Sequence, residues 1–114
     1  MSKSYKEIYA EGSKALGAMG MHMKDVMGAF QTLHAAAVQD GVLSKKTKEL
    51  IALALAVGSR CDNCIAFHMK ALVQLGATRQ EIVETLGMAI LMGGGPSVMC
   101  AADALKALDE LSAT

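Results

Sequence analysis

The sequence contains no tryptophan, a single proline, and only two phenylalanines and two tyrosines in 114 residues. Scarce aromatics remove side chains that strands favour, and the near-absence of proline leaves helices unbroken. Charge is balanced as well, with 11 basic and 11 acidic residues, so no net field gathers phosphate backbones or an anionic membrane surface. Neither nucleic acid nor membrane is therefore expected as a partner. The longest uncharged stretch, Thr85 to Ala102, approaches the length of a membrane span but is broken by Gly93-Gly94-Gly95-Pro96. The opening MSKSYKEIYAEG has no apolar run behind its lysines, so no secretory signal is read and the expected location is the cytoplasm.

What the chain does have is apolar and helix-forming. Alanine, leucine, isoleucine, valine and nine methionines dominate an apolar fraction of 53%. A chain of this length buries roughly two thirds of the surface it exposes when unfolded, so it needs no disulfide staples. No repeat or low-complexity linker divides it. The expected architecture is all-α, a single domain over residues 1–114 made of about six short antiparallel helices.

Helix signals follow in order along the chain. Tyr5, Ile8, Tyr9 and Leu16 outline a first helix from Ser4 to about Leu16, with Gly17 and Gly20 bracketing its end. Met23, Val26, Met27, Phe30, Leu33, Ala37 and Val38 predict a second from about Met21 to Gln39, stopped by Gly41. Its His34, like His22, reads as an ordinary surface or interface histidine. Ser44 is a natural N-cap for a third helix, whose eight consecutive apolar residues, Leu50 to Val57, precede Gly58. Its first-turn lysines oppose the helix dipole and need a compensating reason. A helix apolar on all sides must be surrounded, and that predicts a homo-oligomer. A fourth helix runs from near Cys61 to Leu75. Thr78 and Glu81 form a capping box for a fifth, and Pro96 opens the last. The methionine clusters 19, 21, 23, 27 and 88, 92, 99 read as packing.

Three cysteines are too few for a disulfide framework in a small cytoplasmic protein, where a C-x-x-C pair points to redox chemistry or metal. Cys61 and Cys64 lie at the start of a helix, where unpaired N–H groups and the dipole favour thiolate. His68 is one turn beyond Cys64 on the same face, placed to accept its proton. Residues spaced i and i+3 on a helix have Cα atoms about 5 Å apart, within reach of a disulfide. Glu49 precedes Gly58 by about 13 Å of helix and His68 follows Cys61 by about 10 Å, so antiparallel packing brings the two nearly level. A carboxylate there can orient the imidazole. Cys100, without a titratable neighbour in sequence, reads as a core residue.

Glu49, eleven residues, Cys61-Asp62-Asn63-Cys64, three residues and His68 together resemble the E-x11-C-x-x-C-x3-H signature of the carboxymuconolactone decarboxylase family, in particular its AhpD-like (alkyl hydroperoxidase D) branch. The likeness extends from Leu43 through the A-x-x-x-G-A-T-x-x-E-I-x-E segment, Ala71 to Glu84, about half of the chain. It implies an all-helical domain that assembles into trimers or hexamers and reduces hydroperoxides without a cofactor. By the resemblance Cys64 is the attacking thiolate, Cys61 the resolving thiol, and Glu49 with His68 the proton relay. An external dithiol, usually a lipoamide-bearing protein, restores the pair. Better-known members carry histidine just before the second cysteine, where this chain has Asn63.

Two other functions fit the same residues. A lactone-acid decarboxylase, the activity that names the wider family, would rely on His68 and not on the thiols. A metal-binding or redox-sensing module would hold zinc with Cys61, Cys64, His68 and Glu49, although these ligands are crowded within one helix.

Overall fold

A computed structural model describes residues 3–112, so the two terminal residues at each end of the expected 1–114 domain lie outside it. Six helices follow one another: α1 Tyr5–His22, α2 Lys24–Val38, α3 Lys45–Gly58, α4 Asp62–Gln74, α5 Arg79–Gly93 and α6 Gly95–Ser112. No strand occurs among the described residues. The all-α expectation holds.

Local signals place the later helices. Ser44 Oγ accepts the Thr47 N–H at 3.1 Å and opens α3. Thr78 and Glu81 form both halves of a capping box at α5. The lysines of α3 find partners that offset their opposition to the dipole: Lys46 Nζ lies 2.8 Å from Glu81 Oε2, and Lys48 Nζ donates to the Gln39 carbonyl at 2.7 Å. Lys46 and the Thr78 N–H together hold the Glu81 carboxyl below its usual range.

The first two helices depart from expectation. Helix α1 does not end near Gly17 but continues through Gly20 to His22, and Met23 alone separates it from α2. Each glycine costs about 1 kcal/mol relative to alanine, too little to interrupt a run containing Leu16, Ala18, Met19 and Met21.

Helix α3 packs on α4 and α5, α4 on α6, and α5 on α6, while the start of α1 lies against α4 and α6. Helix α5 makes its contacts with α3 and α6 rather than with α4, the helix before it in sequence. The core contains Leu53, Ile65, Leu72, Ile82 and Leu86, with Ala56, Ala66, Ala101, Ala104 and Ala107 allowing the helix axes to approach. Methionine contributes less than composition suggests. Met69 is buried in the core, whereas Met21, Met23, Met88, Met92 and Met99 are exposed. These methionines lie at the end of α1 and on the outer faces of α5 and α6, away from the core; α2 likewise buries no residue, and among the described residues its contacts are with α1 and α3. Nor is α3 surrounded, for Ile51 and Leu55 face outward, Leu55 at 68% exposure.

Candidate functional site

The turn between α3 and α4 is fixed by backbone hydrogen bonds. Arg60 N–H donates to the Val57 carbonyl and Cys61 N–H to the Ala56 carbonyl, both at 3.1 Å, and Arg60 takes the left-handed conformation with φ 56°. These are the bonds of a Schellman motif, here with arginine where glycine is usual. The chain leaves it directly into α4, and Cys61 is the N-cap. Its Sγ accepts the Cys64 N–H at 3.2 Å. Cys61 and Cys64 are joined as a disulfide with Cα atoms 5.2 Å apart.

One turn further along α4, His68 Nδ1 lies 2.7 Å from Glu49 Oε1. Glu49 is buried in the second turn of α3, at 2% exposure, so α3 and α4 pack with the two residues level. A carboxylate can only accept, which puts the imidazole proton on Nδ1 and leaves Nε2 as the free nitrogen. The hydrogen bond also offsets the desolvation of the buried carboxyl.

Cys64 and His68 open together onto a cleft of about 600 Å³ between α1, α2 and α4. Ala15, Leu16 and Met19 of α1 and Met27 and Phe30 of α2 supply apolar walls. Phe67 completes the floor, its ring centroid 5.1 Å from that of Tyr9. Gly12 lets α1 approach closely there. A Cβ at Gly12 would stand 3.1 Å from both Asn63 Oδ1 and Phe67 Cε2. Cys61 is outside the cleft lining.

Of the residues singled out in the sequence, Glu49, Cys61, Cys64 and His68 meet across the α3–α4 turn. Cys100 is half-buried and packs against the core. His34 is exposed, in keeping with its reading as a surface or interface histidine, and with Gln31 it also forms the polar part of the α2 wall. A signal was available: Met27, Phe30, Gln31 and His34 share one face at i, i+3, i+4 and i+7. Tyr5 and Asp62 were also missed. Tyr5 is fully buried and its hydroxyl donates to Asp62 Oδ1 at 3.0 Å. Burial above all, and then the Asp62 carboxylate, push the Tyr5 hydroxyl well above the usual phenol range. Among the described residues no three histidine, cysteine, aspartate or glutamate side chains converge in a metal-binding arrangement.

An all-helical fold with a cysteine pair capping one helix and a Glu–His pair beside it defines a class of small dithiol proteins. Comparison makes the class specific. A sequence profile of the carboxymuconolactone decarboxylase family matches residues 24–107, and the chain belongs to that family. An uncharacterised protein of Cupriavidus necator is 42% identical over 113 residues, covering 99% of this chain and all of its own. Among solved structures, apo-lpg0406 of Legionella pneumophila, a carboxymuconolactone decarboxylase family protein, superposes with a TM-score of 0.94 at 50% identity, covering 97% of this chain and 99% of that one. TM1620 of Thermotoga maritima, a family member for which a part in the antioxidative response has been suggested, gives 0.81 at 33% identity, covering 90% and 88%.

Proposed function

We propose that the protein is a thiol peroxidase of the alkylhydroperoxidase type. The observation that carries this reading is that Cys64 and His68 line one cleft, with His68 hydrogen-bonded to buried Glu49 and Cys61 bridged to Cys64. The suggested antioxidative role of the Thermotoga maritima relative agrees with it.

In the reduced protein His68 Nε2 takes the Cys64 proton, and Glu49 stabilises the resulting imidazolium. The Cys64 thiolate attacks the terminal peroxide oxygen, the O–O bond breaks, and the leaving alkoxide collects the proton from His68 as an alcohol. Cys64 is left as a sulfenic acid. The Cys61 thiol then displaces water from it, forming the Cys61–Cys64 disulfide. An external dithiol, a lipoamide-bearing protein being the candidate, reduces the bridge by exchange and is itself oxidised. Placement supports this division of labour: Cys64 faces the cleft, while Cys61 sits outside its lining as the helix cap. No cofactor takes part.

Rapid mixing of the reduced protein with an alkyl hydroperoxide tests the proposal. It expects loss of two thiols per chain, abolished in Cys64→Ser. Normal peroxide turnover by that variant would refute the assignment. Turnover insensitive to thiol alkylation would point instead to chemistry by His68 alone.

A further inference from the structure

The start of α1 is tied to the cysteine turn by contacts that the peroxidase steps do not use. Besides the Tyr5 hydroxyl, Lys3 Nζ reaches Asp62, lying 2.9 Å from Oδ2, and stands 3.6 Å from Asp103 Oδ2 on α6. The Tyr5 N–H donates to Glu110 Oε1 at 2.6 Å, which anchors the same strap to the far end of α6. Asp62 is the first helical residue of α4, between the two cysteines, and it lies outside the cleft lining.

A carboxylate in that position has an electrostatic consequence. Negative charge next to a thiol opposes its ionisation, and it works against the helix N-terminal field that favours thiolate. Hydrogen bonding by a buried hydroxyl and pairing with an ammonium group offset the charge and fix its direction. We propose that Tyr5, assisted by Lys3, is a positioning residue for the cysteine pair, holding the Asp62 carboxylate engaged on the α1–α6 side of α4 so that thiolate can form on the cleft side.

The charged and titratable groups around Asp62 are consistent with this arrangement. From the N-terminal strap come Lys3 and Tyr5. Helix α6 supplies Asp103, and the Cys100 thiol is close enough to act on the Tyr5 hydroxyl. Arg60 precedes the cysteines and is exposed. The Tyr5 hydroxyl, displaced upward, keeps its proton and remains a donor throughout the range in which thiols titrate. Tyr5 is therefore a fixed donor to Asp62 and not a second titrating group.

The inference rests on the cysteines reacting as thiolates, as in the proposed function, but its test needs no peroxide. Full-length protein is reduced and alkylated with iodoacetamide at a series of pH values, and the loss of Cys61 and Cys64 is followed by mass spectrometry. Tyr5→Phe should raise the apparent thiol pKa and slow alkylation near neutral pH by about three- to tenfold. Adding Asp62→Asn should reverse the shift, because the carboxylate is then gone. Lys3→Met, at an exposed position, should slow alkylation in the same direction, and it decides the matter together with Asp62→Asn if Tyr5→Phe does not fold. A merely structural role for Tyr5 would lower the melting temperature and leave the pH profile in place. Unchanged profiles in Tyr5→Phe and Lys3→Met, or a shift that Asp62→Asn does not reverse, would overturn the inference. A protein inert to peroxide whose profile still shifts would lose the peroxidase reading and keep this one.

Discussion

Glu49 is a carboxylate in a hydrocarbon core, and the hydrogen bond to His68 Nδ1 offsets part of the cost of placing it there. Its amide counterpart fills the same space and can still accept that bond, but it cannot balance a positive imidazole. Glu49→Gln should therefore cut peroxide consumption about tenfold or more while shifting the melting temperature by only about a few degrees. Full activity in this variant would remove Glu49 from the relay. At this scale the sequence was informative where chemistry and helical spacing coincide, as for Cys64 and His68 on one turn. Tyr5 and Asp62 were not legible because 57 residues separate them, and nothing local marks a tyrosine that the packing of α1 against α4 will bury. For His34 the shared face with Met27, Phe30 and Gln31 was visible in the sequence, but that this face lines a cleft is set only by the packing of α2 beside α1.

At the scale of elements, the cysteine turn depends on a residue in an uncomfortable conformation. The left-handed region costs a side-chain-bearing residue about 1 kcal/mol relative to glycine, and Arg60 occupies it at the end of α3. Arg60→Gly should raise stability by about 0.5 to 1 kcal/mol, read as a higher denaturant midpoint at unchanged slope. A lower midpoint would mean that the arginine side chain stabilises the turn by contacts that outweigh the strain. Caps were readable because their logic is local: Ser44 and Thr78 each satisfy N–H groups within three residues. Glycine was a poorer guide. Gly17 and Gly20 lie inside α1, and in the Gly58-Ser59-Arg60 turn it is Arg60 and not the glycine that takes the left-handed conformation. A helix flanked by good formers continues through a glycine, whereas a stop requires hydrogen bonds that close the end.

For the molecule as a whole, the unusual feature is how much apolar surface one chain leaves bare. Val26 and Leu33, seven residues apart on α2, are 64% and 63% exposed, and Leu55, Leu91, Met92 and Met99 are exposed on α3, α5 and α6. A helix that buries nothing in its own chain and carries such residues is poorly accounted for in a monomer. We propose that copies of the chain cover these faces in a homo-oligomer, trimeric or hexameric as the family resemblance implies. Val26→Asp combined with Leu33→Asp, both outside the cleft lining, should lower the assembly state measured by light scattering. A wild-type chain that is monomeric at micromolar concentration would contradict the proposal. The all-α class was legible from composition, and apolar patterning together with cap signals gave six helices, though not the boundary between α1 and α2. Which apolar face meets the core and which remains bare was not, because a methionine at helical spacing looks the same in either setting.

The most direct test of the central claim is to treat fully reduced protein with one equivalent of an alkyl hydroperoxide and map the cysteines by peptide mass spectrometry. The predicted result is a Cys61–Cys64 bridge, with Cys100 still a free thiol and one alcohol released per bridge formed. A bridge that includes Cys100, or peroxide consumed with all three thiols intact, would contradict it.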